Sequence, residues 1–176
     1  MSAQFSAIWA CGLNAVIGKD NGLPWPKIKE DMKWFRKHTL AKTVVMGYNT
    51  WVSLGNKPLP DRQNVVLSNI PLNGVPHLST CNQTFAGLYW CRPDEFEDYI
   101  PKAWDEREVM IIGGAKTYAL LSHLVTRVYQ TVVNDCFEGD AFIHDNTDEW
   151  DMVYLDRFSS KQCTFQIFEG GDLEIT

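Results

Sequence analysis

No apolar run in this chain approaches the length needed to cross a bilayer, which excludes a membrane-spanning helix within it. Nor is there a basic excess. Lys and Arg number 16 against 22 Asp and Glu, a net charge of −6, which argues against non-specific binding to nucleic acid or anionic membrane but leaves room for a local basic pocket. The five cysteines, Cys11, Cys81, Cys91, Cys136 and Cys163, are odd in number, scattered and without a CxxC pair. The four histidines, His38, His77, His123 and His144, supply no ligand spacing, so reduced thiols and no metal site are expected. Repeats, low-complexity tracts and Ser/Gly-rich linkers are absent, and GxGxxG does not occur. Met1 to Cys11 has no basic stretch ahead of an apolar core, so it does not read as a signal peptide, and a cytoplasmic protein is expected.

What is present is ordinary globular material: 176 residues, 45% hydrophobic and 12% aromatic, with seven Trp. That is enough for one domain with a sizeable core and no staples. Phe5 to Cys11, Thr43 to Met46, Gln63 to Ser68, Val109 to Ile112 and Val128 to Val133 read as strands. Lys27 to His38, Asn49 to Leu54 and Ala115 to His123 read as helices. Asp94 to Trp104 is a charged helical stretch that Pro101 interrupts, and Asn14 to Pro26, with Gly18, Gly22, Pro24 and Pro26, is a long loop. Val153 to Phe158 and Thr164 to Phe168 form a terminal antiparallel hairpin. The alternation predicts an α/β fold: a mixed, mostly parallel central sheet with helices on both faces. Ligands of such sheets collect at the carboxyl ends of the strands.

The most informative segment is Lys27 to Arg36. On a helical projection Ile28, Met32 and Phe35 share one face, and Lys29, Glu30, Lys33, Arg36 and Lys37 lie opposite. Asp31 sits with the apolar face, where a carboxylate is costly unless paired. Two readings stand. In the first, Asp31 is a first-turn acid that suits the helix dipole. In the second, it faces a ligand and binds an amidine-like donor pair or assists proton transfer.

Ile111-Ile112-Gly113-Gly114-Ala115-Lys116-Thr117-Tyr118 reads as strand, glycine pair and helix start, a place where backbone N–H groups can approach a phosphate. Val45-Met46-Gly47-Tyr48-Asn49-Thr50-Trp51 repeats that arrangement. Each is weak alone; two in one small domain point towards a dinucleotide.

Taken together, Val16-Ile17-Gly18, Leu23-Pro24-Trp25, Asp31 followed by Trp34-Phe35, Met46-Gly47, Thr50-Trp51, Pro58-Leu59-Pro60 with Arg62, and Ile112-Gly113-Gly114 to Tyr118 resemble the dihydrofolate reductase family. The order and spacing match from about Ile8 to Asn69 and again from Val109 to Asp140, with Glu149-Trp150 and Phe165 to Phe168 fitting the end. The resemblance implies one dihydrofolate reductase-like domain over residues 1–176, with a cofactor-adenosine subdomain at about 42–108. It implies NADPH-dependent reduction of 7,8-dihydrofolate to tetrahydrofolate, with hydride transfer to pterin C6 and protonation at N5. A cytoplasmic monomer that binds a small molecule, not nucleic acid or membrane, is expected.

Residue by residue, the resemblance makes Asp31 the pterin-binding acid, held by Thr131, with water as the proton donor. Ile8, Ala10, Met32, Phe35, Leu54, Leu59 and Ile112 would line the substrate site, and Arg62 would hold the tail carboxylate. Ala10, Ile17, Gly18, Gly22, Leu23, Trp25, Gly47, Asn49, Thr50, Ser68, Asn69, Gly113, Gly114, Ala115, Lys116, Thr117 and Tyr118 would line the cofactor site. The loop Asn14 to Pro26 resembles the family's mobile lid, and Asp140 matches the acid whose loop braces it.

Four features depart from the pattern, one of them Trp9, which occupies a usually small position and which strand alternation points away from Ile8 and Ala10, towards the core. Tyr48 stands where many relatives carry an Arg that contacts the cofactor's 2′-phosphate, leaving Ser68, Asn69 and Lys116 to compensate. One extra residue lies between Trp25 and Asp31. The stretch Cys81 to Glu108 is longer and matches poorly. Two rival functions share part of this pattern: a reductase of the same fold acting on another pterin or pyrimidine precursor, and a binding protein with little turnover. The combination of Asp31, Phe35 and Arg62 favours folate over the first. The acid, lid and Gly-Gly turn argue against the second.

Overall fold

The computed structural model describes residues 2–81, 87–104, 107–143 and 152–170. Glu149-Trp150 therefore lies outside the described residues. Ten strands and three α-helices are described: β1 (Gln4–Gly12), β2 (Val16–Gly18), α1 (Lys29–Thr39), β3 (Thr43–Gly47), α2 (Tyr48–Ser53), β4 (Gln63–Leu67), β5 (Gly87–Cys91), β6 (Glu108–Gly113), α3 (Ala115–Leu121), β7 (Val125–Val133), β8 (Ala141–Phe142), β9 (Met152–Ser159) and β10 (Cys163–Gly170).

Eight strands form one sheet in the order β5-β4-β3-β6-β1-β7-β10-β9, and β2 pairs with β8 separately. Neighbours from β5 to β7 are parallel; β10 runs antiparallel to both β7 and β9. The central strands are largely apolar, with a few buried polar residues such as Asn64 and Thr131, because both faces are covered. Val45, Val65, Val109 and Ile111 are fully buried in one cluster, which receives Tyr118 and Leu121 of α3. Val44, Met46, Val66 and Met110 are fully buried in the other, which receives Trp34 of α1 and Trp51 of α2. Alternate residues of one strand feed opposite clusters, as the two-residue period requires.

The chain leaves β1 in one direction for β3, β4 and β5, returns at β6, and leaves in the other direction for β7. The reversal falls between β6 and β1. There β1 pairs with β6 only as far as Ala7↔Ile111, while its pairing with β7 continues to Gly12↔Val133. The two strands part at Ile8 and open a crevice at their carboxyl ends, the usual ligand position in an open α/β sheet.

Several expectations need correction. The first helix begins at Lys29, not Lys27, with Ile28 at its cap position. Its buried residues are Trp34 and Thr39, while Met32 is 44% exposed; the helix lies across the sheet on its Trp34 side, so projection alone misassigned the seam. Asp94 to Trp104 is not a helix but three short 3-10 turns, Pro93–Glu95, Glu97–Tyr99 and Lys102–Trp104. The buried side chains Phe96 and Trp104 anchor these turns, which Pro93 and Pro101 punctuate. The loop Asn14 to Pro26 contains β2, and β5 lies inside the stretch Cys81 to Glu108 that matches the family pattern poorly.

Candidate active site

Asp31 stands in the first turn of α1 and faces β7. The register sets Ala10, Thr131 and Phe165 in one row across β1, β7 and β10, and the Asp31 carboxylate lies over that row. Burial raises its pKa above the ordinary carboxylate range, and the Thr131 hydroxyl partly offsets the rise. That hydroxyl is buried and has no partner at ordinary hydrogen-bond length, so it acts on Asp31 from slightly further away. Cys163, at the start of β10, is a neighbour that the sequence did not mark. Burial, with Asp31 and Glu30 close by, pushes its thiol up to about 11 and keeps it protonated.

Around the acid, the predicted wall residues gather on one cluster. Ile8 and Trp25 are buried in it, and Ala10, Phe35, Leu54, Leu59 and Ile112 border it while partly exposed. Met32 lies at the exposed rim. Asn64, fully buried and unmarked by sequence, fixes the Leu59 edge: its side chain accepts from the Leu59 amide at 2.8 Å and donates to the Leu59 and Arg62 carbonyls at 3.0 Å.

Arg62 is 5% exposed. It donates through Nε to the Pro60 carbonyl and through Nη1 to the Thr39 hydroxyl, both at 2.9 Å, and Thr39 in turn donates to the Phe35 carbonyl. Among the described residues it has no ion-pair partner. Burial and the nearby Arg36 both lower its pKa, yet a guanidinium stays charged. Asp61 offsets this in part without pairing directly, so the guanidinium keeps the capacity to take a further anion.

The glycine turns meet across the carboxyl ends of β3 and β6. A Cβ on Gly47 would fall 2.6 Å from Thr117 Oγ1, and one on Gly114 would fall 3.7 Å from Thr50 Oγ1. Gly113 has φ +118°, open to glycine, and precedes a cis peptide bond to Gly114. Gly47, Thr50, Gly113, Gly114 and Thr117 thus lie together at the ends of β3 and β6 with two hydroxyls among them, while the Thr117 and Tyr118 amides already donate to the Gly114 carbonyl; the hydroxyls and the open glycine backbone fit a phosphate group. Ala115 and Lys116 continue from Gly114, with Lys116 exposed, and Asn49 is exposed at the start of α2. Tyr118 is buried and its hydroxyl donates to the Ile8 carbonyl at 2.6 Å. Ser68 is also buried, with its hydroxyl engaged by Ile70; Asn69 is exposed.

The loop from Asn14 to Pro26 is fastened to the segment that follows β7. Asp140 Oδ2 accepts from the Asp20 amide at 3.1 Å, and the Asp140 amide donates to the Gly18 carbonyl at 3.0 Å. Asn14 exchanges two bonds with the Phe137 backbone, and Trp25 meets the Phe137 ring edge-on at 5.2 Å. Gly22 closes the small turn by exchanging backbone bonds with Lys19, and Leu23 is 59% exposed. Ile17 borders the opposite core cluster.

The family model for dihydrofolate reductase matches residues 4–169. The chain belongs to the dihydrofolate reductase family. Membership makes it an enzyme, a reductase. It is 36% identical over 171 residues to a dihydrofolate reductase of Haemophilus influenzae, covering 93% of this chain and 96% of that protein. It is 37% identical over 139 residues to one from Neisseria meningitidis, covering 79% and 78%. The fold matches a solved dihydrofolate reductase from Enterococcus faecalis, complexed with NADP(H) and RAB-propyl, with a TM-score of 0.74 at 24% identity over 96% of this chain and 97% of that one.

Proposed function

We propose that this protein reduces 7,8-dihydrofolate to 5,6,7,8-tetrahydrofolate at the expense of NADPH and one proton, supplying one-carbon and thymidylate metabolism. The observation that carries the reading is a part-buried carboxylate, Asp31, at one end of an apolar slot whose other end holds the buried, unpaired cation Arg62. Folate has the matching polarity, with an amidine-like donor pair on the pterin and carboxylates on its tail.

In this reading Asp31 accepts hydrogen bonds from the pterin 2-amino group and N3, a charge-assisted pair. Its negative charge, close to the ring in a partly desolvated site, favours the N5-protonated substrate, with solvent water delivering the proton. Phe35, Leu54 and Leu59 grip the middle of the substrate, and Arg62 takes the tail carboxylate bidentately. When bound, NADPH supplies the hydride to pterin C6. Gly47, Thr50, Gly113, Gly114 and Thr117 would hold its phosphates, Ala10, Ile112 and the lid residues its nicotinamide, and the segment 42–108 its adenosine. The lid from Asn14 to Pro26 excludes water from the reacting carbon.

The test is loss of nicotinamide absorbance from purified protein with NADPH. Oxidation is expected only when dihydrofolate is added. Binding of dihydrofolate without turnover would instead support a binding protein.

A further inference from the structure

Asn64 is wholly buried in β4, paired with Val44 of β3 on one side and Leu88 of β5 on the other. Val66, two residues on, belongs to the cluster that α1 and α2 cover, so the two-residue period turns the Asn64 side chain to that same face. A primary amide there must find partners or carry a desolvation cost. It finds them in one short loop. Oδ1 accepts from the Leu59 amide at 2.8 Å, and Nδ2 donates to the Leu59 and Arg62 carbonyls, each at 3.0 Å.

That loop has little else to hold it. Pro58 and Pro60 contribute no amide hydrogen, Asp61 lies in left-handed backbone at φ +57°, and no backbone hydrogen bond joins residues 59–62 to one another. Its carbonyls are nevertheless all satisfied, as buried backbone requires. The Asp61 carbonyl accepts from the Ala41 amide at 3.0 Å and the Pro60 carbonyl from Arg62 Nε at 2.9 Å, while Asn64 serves the first and the last. Thr39 and the Pro60 carbonyl orient the guanidinium. Asn64 ties the Arg62 backbone to that of Leu59, so one side chain on a central strand holds the slot's wall and its far cation at a fixed span. The acid end is built from other elements, with Asp31 on α1 facing β7.

We propose that Asn64 is a positioning residue that sets the preference for substrates with an anionic tail. It places Arg62, relative to Leu59, where a tail carboxylate arrives, and it takes no part at the pterin end. The proposal rests on the folate reading above and adds a separable control of tail recognition, which can be lost without disturbing Asp31.

The experiment compares kcat and KM of wild type, Asn64→Ala, Asn64→Asp, Arg62→Gln and Asn64→Ala/Arg62→Gln. Each is assayed with NADPH and either dihydrofolate or 6-methyl-7,8-dihydropterin, which has no tail. Asn64→Asp keeps the shape and the acceptor and loses both donors. Each Asn64 variant is expected to raise KM for dihydrofolate by roughly 10- to 100-fold, as for a binding group misplaced by about 1 Å, and KM for the tail-less pterin by about twofold at most. The double variant should lose less than the product of the two single losses, because Asn64 acts through Arg62. That comparison needs dihydrofolate alone, so it decides the matter if the tail-less pterin turns over too slowly to measure. Equal losses on the two substrates, no loss, or losses that multiply in the double variant would overturn the assignment. Failure of both Asn64 variants to fold would also overturn it, by making the residue purely structural. A wild type inactive on both substrates would refute the folate reading itself; one active on dihydrofolate without this pattern overturns only the role of Asn64.

Discussion

The Tyr118 hydroxyl donates a 2.6 Å hydrogen bond to the Ile8 carbonyl, tying α3 to the point where β1 parts from β6. Burial holds this phenol firmly protonated, so it remains a donor at every physiological pH. The bond therefore helps to hold α3 against β1 where the two strands part. Tyr118→Phe would leave a buried carbonyl without its donor, at a cost of about 1–3 kcal/mol. Chemical denaturation should show that loss. An unchanged midpoint would mean that the crevice is held open by packing alone.

The lid is braced where Gly139 and Asp140 meet it. A Cβ at Gly139 would fall 2.3 Å from Val16 Cγ1 and 2.4 Å from the Gly18 carbonyl oxygen, and the latter, as backbone, cannot swing aside. Gly139→Ala should therefore detach the lid, and Asp140→Ala should do so more mildly by removing the acceptor for Asp20. Amide hydrogen exchange at residues 13–22 should quicken in both variants, most in Gly139→Ala, while β3 and β4 stay protected. Protection unaltered at the lid would show that the brace is incidental.

His38 sits between the rings of Trp34 and Tyr129, with centroids at 4.2 and 4.4 Å, and its Nε2 is buried without a partner. Burial, then Lys42 and Lys37, lower its pKa to about 4, against a smaller opposing pull from Glu108. A depressed histidine binds its proton more readily when unfolded. Stability from this site is therefore complete above pH 6.5 and is lost as pH falls from there towards about 4. His38→Phe should flatten that part of the profile, read as thermal midpoint against pH. A profile parallel to wild type would place the acid sensitivity elsewhere.

Much of this was legible in the sequence. Apolar runs marked β1, β3, β4, β6 and β7, because those strands are buried on both faces and need no alternation, and Gly47 and the Gly113-Gly114 pair marked the turns that follow β3 and β6. The segment after Cys81 was not. Gly87-Leu-Tyr-Trp-Cys91 is short and lacks a period, and the turns beyond it are set by where Phe96 and Trp104 dock. Asp31 was conspicuous as a charge on the wrong face, whereas Cys163, Asn64 and Phe137 join the site only through long-range register and loop contacts that no local pattern announces.

Asp31 carries a stability cost as well as a role. Burial raises its pKa, so the folded state favours the proton, and stability falls as pH rises from the unfolded to the folded value. At neutral pH the charge opposes folding. Asp31→Asn should raise the thermal midpoint there and gain nothing at low pH, where the native acid is already neutral. A lowered midpoint at neutral pH would mean that the carboxylate is stabilising.

The most direct test of the account is the pH dependence of the hydride-transfer rate, from single turnovers of wild type and Asp31→Asn with NADPH and dihydrofolate. If Asp31 works by favouring the N5-protonated substrate, the variant should be slowed by about 100-fold or more near neutrality. It should recover towards wild type as the pH falls and solvent protonates the substrate unaided. A variant as fast as wild type at neutral pH, or one equally slow at every pH, would contradict the electrostatic role assigned to this carboxylate.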